Sequence, residues 1–278
     1  MLPSPGCPIT GDLNGDGIPD LLVGSGSGVS AYLGNGDGTF SLAGLTPAGA
    51  GNLALGDFNH DGKPDLVVSS NVLALGNGDG TFQAPVSITT NLGGFDWVAA
   101  GDLNNDGWTD LVAAQTISNK LFVLVNNHQG GFVQGSLIND DGPEQVLLTD
   151  VNRDGNLDAV VTMAYFEAVG VYLGDGTGHL TLNTTVDYKG GSYYALASVG
   201  DVNGDGFPDL LLPTSGDLGI GLGNGDGTFQ PLFFVGLGPN AGQILLENLH
   251  GQKASAHLPD IVSPDGSGGV MVLLNLTK

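Results

Sequence analysis

The chain is poor in the features that mark a nucleic-acid binder, a disulfide-stapled module or a membrane protein. Only 6 of its 278 residues are Lys or Arg, so no basic patch exists to neutralise phosphates, and nucleic acid is not expected as a partner. The single cysteine, Cys7, excludes an intrachain disulfide, and near the terminus it reads as a small buried hydrophobe rather than a nucleophile. No apolar run approaches the ~20 residues that span a bilayer, so membrane insertion is not expected. The opening Met1–Gly6 has neither the charged nor the apolar region of a signal peptide. The histidines (His60, His128, His179, His250 and His257) are scattered. Neither zinc spacing, a nucleophile motif nor a phosphate-cradling helix start appears. Catalysis finds no support, and the chain reads as non-enzymatic.

Glycine and acid are abundant instead. There are 49 glycines, far above the usual ~7%, yet they show no Gly-X-Y period. With 41% hydrophobic residues the chain is not disordered, so the glycines mark many tight turns. The 29 acidic residues give a formal net charge of −23, and their placement is ordered. The pattern D-x-N-x-D-G-x-x-D recurs at Asp12–Asp20, Asp57–Asp65, Asp102–Asp110, Asp150–Asp158 and Asp201–Asp209, with starts 45, 45, 48 and 51 residues apart.

Within each nine-residue stretch, hard oxygen donors at positions 1, 3 and 5 converge when the loop curls. Gly at position 6 permits the sharp turn, position 7 can add its carbonyl, and position 9 a further carboxylate. This is the ligand logic of a calcium loop. The side-chain ligands expected are Asp12, Asn14, Asp16, Asp20; Asp57, Asn59, Asp61, Asp65; Asp102, Asn104, Asp106, Asp110; Asp150, Asn152, Asp154, Asp158; and Asp201, Asn203, Asp205, Asp209. The carbonyls come from Ile18, Lys63, Trp108, Asn156 and Phe207, whose variety suits a backbone ligand. Five Ca²⁺ ions would add +10 and take the charge from −23 to −13. The competing reading is metal-free Asx turns, against which three like charges in nine residues repel without a cation. Mg²⁺ fits less well, because it keeps its waters and takes one or two carboxylates. An EF-hand is excluded by the missing Glu at position 12 and the missing helices. A sixth, degenerate copy from Glu247 to Asp260 has lost the pattern, and no calcium is expected there.

Each loop sits between short apolar runs such as Leu53–Gly56, Trp97–Gly101 and Ala195–Val199 before it, and Asp20–Val23 or Asp209–Leu212 after it. A third run follows (Val29–Leu33, Leu121–Val125), then a turn and a weaker fourth (Gly80–Val86). Runs of this length, β-branched and bounded by Gly, Asn, Asp and Pro, read as strands. Four short strands in ~45 residues, repeated, make one blade of a β-propeller. The fold class expected is all-β: about six blades, near 7–48, 49–92, 93–141, 142–191, 192–238 and 239–278, the last of three strands. One propeller domain is expected, standing alone or as part of a seven-bladed ring.

A second motif, Leu-Gly-Asn-Gly-Asp-Gly-Thr-Phe at 33–40, 75–82 and 222–229, with a variant at 173–178, falls between the third and fourth strands. It reads as a hairpin turn, with Asp37, Asp79 and Asp226 as turn residues and Phe40, Phe82, Phe229 and Phe132 as anchors of the outer strand. Asn183-Thr184-Thr185 and Asn275-Leu276-Thr277 fit the N-glycosylation sequon.

The two motifs together resemble FG-GAP/VCBS repeats, the propeller repeats of integrin α subunits and of many secreted bacterial proteins. The resemblance implies calcium in the loops between first and second strands, all on one face, and ligand binding on the opposite face. There Tyr165 and Phe166 fall between strands two and three, and Phe95, Tyr193, Tyr194, Phe233 and Phe234 in or beside the inter-blade connections. Such aromatics either contact a sugar or protein partner or fill inter-blade core. The expected function is a calcium-binding, integrin-like propeller, with structural calcium, serving adhesion or recognition of an extracellular protein or glycan. A lectin-like propeller and an accessory domain of a secreted enzyme are the alternatives. The expected location is extracellular or cell-surface, since weak calcium sites suit it. Oligomeric state has no signal in the sequence.

Overall fold

Every second strand of this protein starts on an aspartate, and that registers each blade to its loop. The computed structural model describes residues 8–88, 91–188, 196–214, 216–237, 244–247, 258–264 and 270–273. The chain divides into two compact units, Met1–Asp140 with Asp175–His179, and Asp141–Gly174 with Leu180–Lys278. The fold is an all-β propeller of six blades, and no helix occurs among the described residues.

In the first unit, blade one is β1 (Ile9–Gly11), β2 (Asp20–Ser25), β3 (Gly28–Gly34) and β4 (Phe40–Thr46). Blade two is β5 (Leu53–Gly56), β6 (Asp65–Val68), β7 (Val72–Ala74) and β8 (Val86–Ser87). Blade three is β9 (Trp97–Gly101), β10 (Asp110–Gln115), β11 (Lys120–Asn126) and β12 (Phe132–Asn139). In the second unit, blade four is β13 (Pro143–Thr149), β14 (Asp158–Met163), β15 (Ala168–Gly174) and β16 (Leu180–Asp187). Blade five is β17 (Ser198–Gly200), β18 (Asp209–Pro213), β19 (Asp217–Gly221) and β20 (Phe233–Gly236). The sixth has three strands, β21 (Leu245–Glu247), β22 (Asp260–Pro264) and β23 (Val270–Leu273). Strands pair antiparallel with their chain neighbours, as in Leu111↔Ala100 and Leu111↔Leu124. The loop after the first strand and the turn after the third therefore share one end of a blade, and the turn after the second strand lies at the other.

The second strands are near-continuous apolar runs because both faces are covered. β6, β14 and β18 are buried along their whole length, and β10 in all but its last residue. The cores lie between successive blades. Phe58, Val67, Leu111 and Phe122 join blades two and three, and Val160, Val171, Leu210 and Leu212 join blades four and five. Buried amides also tie the backbones of adjacent blades. Gln145 accepts from Ala197 N–H at 2.6 Å and donates to its carbonyl at 3.2 Å, and Asn126 donates to the Phe58 carbonyl at 2.8 Å.

Two sequence expectations need correction. The fourth run of blade two, expected over 80–86, is only an isolated Gly76↔Phe82 bridge and the two-residue β8. Blade five repeats this with Gly223↔Phe229 and β20. Pro85 and Pro231 interrupt them, because proline has no N–H for the ladder. Phe82, Phe132 and Phe229 do anchor the outer strands, Phe132 edge-on to Phe58 at 5.7 Å. Phe40 does not, at 48% exposure. Cys7, both Tyr193 and Tyr194, and the degenerate sixth loop beyond Glu247 lie outside the described residues, as does the 275–277 sequon.

Candidate metal-binding loops

One hydrogen-bonded frame repeats in all five loops. The N–H of position 6 donates to Oδ2 of position 1, at 2.9 Å from Gly17 to Asp12 and 2.8 Å from Gly206 to Asp201, with the same bond at Asp57, Asp102 and Asp150. The N–H of position 5 donates to Oδ1 of position 3, and that of position 7 to Oδ1 of position 5. Position 6 is left-handed throughout, with φ from 80° at Gly17 to 89° at Gly155, so the glycine is required. Position 4 is left-handed too, at Gly15, His60, Asn105, Arg153 and Gly204. The sequence hid this, because only two of the five are glycine.

Position 9 plays a separate part. Asp20, Asp65, Asp110, Asp158 and Asp209 are fully buried. Oδ2 accepts the N–H of position 2, as from Leu13 at 2.7 Å and Val151 at 2.9 Å, and likewise in the other loops. Oδ1 accepts an N–H at the end of the third strand, each bond 2.8 Å, from Gly34, Gly76, Asn126, Gly174 and Gly223. One carboxylate thus pins the loop to two strands. Burial pushes the carboxyls of Asp65, Asp110, Asp158 and Asp209 above the ordinary 3.8, and neighbouring loop carboxylates add to it against the bonded N–H groups.

Asp37, Asp79 and Asp226 do build the hairpin turns. Each Oδ1 accepts the N–H and hydroxyl of the Thr two residues on, as does Asp175 from Thr177. Those bonds, the hydroxyl's first, hold the four carboxyls below 3.8.

The two groups act in different pH windows. A carboxyl with a raised pKa keeps its proton to higher pH in the folded chain than in the unfolded one. It therefore adds stability as pH falls toward 3.8. The turn carboxyls contribute above 3.8, and that contribution is lost as pH falls below it. Dialysed, calcium-free protein is predicted to reach its highest melting temperature near pH ~4. A melting temperature that falls steadily from pH 7 to 4 contradicts this.

The donor set suits calcium chemically. Each loop offers three carboxylates and an amide oxygen, and a carboxylate has about four lone-pair sites. In loop one, Asp16 and Asp20 each accept two bonds, which leaves lone pairs for a cation. Yet among the described residues no three acidic or histidine side chains form a ready-made metal cluster. The oxygens face the loop's own N–H groups, as Asx turns do, and Asn14 Nδ2 donates to Asp16 Oδ2 at 2.9 Å. That last bond has to open for both side chains to face one ion.

The loops also touch one another through side chains that backbone-ligand reasoning treats as free to vary. The Trp108 ring is stacked between His60, at 4.9 Å, and His128, at 4.6 Å. His128 Nε2 lies 2.9 Å from Asp106 Oδ2. The Arg153 guanidinium stands 5.2 Å over the Phe207 ring, and a Cβ on Gly225 would collide with that ring. Position 4 of one loop thus grips position 7 of the next. The Phe207 N–H and the Asn203 amide, with a smaller contribution from the Arg153 charge, hold the Asp205 carboxyl below 3.8.

At the other end of blade four, Tyr165 and Phe166 are 55% and 60% exposed, so they do not fill core. Phe95 does, at 7% exposure against Phe122. Phe233 and Phe234 are exposed, but on the outer strand β20.

Blades of this form, each carrying an acidic loop between its first and second strands, define a repeat propeller. The chain belongs to the FG-GAP-like repeat family, which matches residues 12–68, 69–113, 102–161 and 150–212. No curated protein matches it. Among solved structures it is similar to an Agrocybe aegerita lectin described as recognising non-reducing terminal N-acetylglucosamine. The identity is 19% over 99% of this chain and 82% of that one, with a TM-score of 0.66. A Lactobacillus plantarum protein is 14% identical over 94% and 82%, TM-score 0.61. A periplasmic gluconolactonase of Pseudomonas aeruginosa is 16% identical over 92% and 82%, TM-score 0.58. At these identities the likeness is one of fold.

Proposed function

We propose that this chain is a non-catalytic recognition propeller whose five loops hold structural calcium, acting in adhesion or binding outside the cell. The observation that carries the reading is the fivefold repetition of one loop frame with the same four oxygen-bearing side chains. Calcium would supply the positive charge that three carboxylates per loop lack, and the loop residues would orient it at the end of each blade. Isothermal calorimetry on chelator-stripped protein tests this. About five calcium ions per chain are expected, by the ligand count of such loops, and no heat of binding overturns it.

A lectin-like reading is favoured by one feature, the exposed Tyr165–Phe166 pair at the turn between β14 and β15. A ring here can stack on a sugar face, and the fold likeness to the Agrocybe aegerita lectin is consistent with it. Replacing both residues with Ala is expected to change stability by less than ~0.5 kcal/mol, as exposed positions do. It is also expected to abolish binding on a panel of immobilised glycans that includes N-acetylglucosamine-terminated ones. Glycan binding that survives in the double variant places the lectin site elsewhere. Absence of any glycan bound by the parent chain favours a protein partner.

A further inference from the structure

We propose that His60 and Arg153 are coupling residues, each transmitting the calcium state of its own loop to the next, so that loops two and three, and loops four and five, fill as pairs. The proposal rests on the calcium reading above and adds to it a linkage between sites.

Both residues hold position 4 in the left-handed region, His60 at φ 58° and Arg153 at φ 61°. Any side chain with a Cβ is disfavoured there, and loops one and five carry glycine at the same place, Gly15 and Gly204. Asn105 holds position 4 of loop three in the same region, and His60 and Arg153 each lie against the position-7 ring of the loop that follows. His60 stacks on Trp108 with an interplanar angle of 27°, and Arg153 covers Phe207.

Position 4 lies between the side-chain donors of positions 3 and 5, so an ion in a loop fixes the direction in which its position-4 side chain leaves. Position 7 is part of the receiving loop. Trp108 N–H donates to Asp106 Oδ1 at 2.8 Å, Phe207 N–H donates to Asp205 Oδ1 at 2.8 Å, and their carbonyls are the expected backbone ligands. Trp108 is held from behind by His128, itself against Asp106. Movement of the indole is thereby tied to a carboxylate of loop three. Each contact therefore joins one candidate ion site to the next through a rigid ring. Loop one has no such reach, since Gly15 ends at its Cα with open space around it.

Position 4 offers a clean deletion, because glycine suits its backbone better than the native residue. In full-length protein with Trp97→Phe, the emission of Trp108 reports loop three during a calcium titration. Asp61→Asn, which weakens loop two, is expected to move the Trp108 midpoint to about fivefold higher calcium or more, at the low end of measured couplings. In the His60→Gly background the same Asp61→Asn change is expected to leave the midpoint in place, the double-mutant signature of a broken link. For the second pair, calorimetry should show loops four and five filling together in the parent and in Arg153→Lys, and separately in Arg153→Gly. Melting of the calcium-free glycine variants at or above the parent value shows that they fold. Equal midpoint shifts with and without His60, or no shift in the parent, overturn the coupling and leave the calcium reading standing. No calcium heat and no change in Trp108 emission overturn both.

Discussion

Asp158→Asn is expected to lower the stability of the second unit by about 2–4 kcal/mol, although the two side chains have the same shape. Asp158 is fully buried at the first residue of β14. Its Oδ2 accepts the Val151 N–H at 2.9 Å and its Oδ1 accepts the Gly174 N–H at 2.8 Å. An amide can match only one of those donors. Its NH₂ must face the other, leaving a buried N–H without an acceptor at a cost of ~1–3 kcal/mol and losing a charge-assisted bond worth ~1.5–3 kcal/mol. Relief of the buried charge offsets part of this, because burial already pushes the Asp158 carboxyl up. At ~2–4 °C per kcal/mol for a chain of this size, the melting temperature should fall by roughly 5–15 °C. Asp175→Asn, on an exposed turn, should cost far less. Urea denaturation of both variants without calcium checks the contrast. Equal, small effects would mean that Asp158 is already protonated and that its bonds add little.

Removal of calcium should have a larger effect still. At a free concentration ten times the dissociation constant, each site contributes about 1.4 kcal/mol, so five sites contribute about 7 kcal/mol. For a chain of this size that is on the order of 15–25 °C in melting temperature. The loss should be restored by Ca²⁺ and poorly by Mg²⁺, which dehydrates reluctantly. Asp16→Asn and Asp205→Asn should each remove about a fifth of the effect, since both lie in exposed loops and break no buried bond. A melting curve that ignores chelator would leave the frame of N–H bonds as the loops' whole stabilisation.

Much of this molecule is legible in the residues because its decisive interactions are local. Each loop spans nine residues, and Gly17, Gly62, Gly107, Gly155 and Gly206 mark the position of positive φ at which every loop carries glycine. Leu53–Gly56 and Trp97–Gly101 are strands over the bounds the sequence suggests. What is not legible crosses between repeats. Asn126 and Phe58 bond 68 residues apart, and the stacking of His60 on Trp108 joins two blades. In one dimension His60 is a variable residue in a loop and Trp108 a mere carbonyl donor. The second role of position 9 is hidden in the same way, since Gly174 N–H reaches Asp158 only once β15 has folded back. Pro85 and Pro231 were visible signals of broken outer strands.

The most direct test of the central claim is a crystal structure grown in calcium, with anomalous data collected at long wavelength. The account predicts five anomalous peaks, one in each loop, with the Asn14–Asp16 side-chain bond opened and its counterparts in loops three, four and five likewise. Loops without peaks, their carboxylates still turned to Gly17, Gly62, Gly107, Gly155 and Gly206, would contradict it.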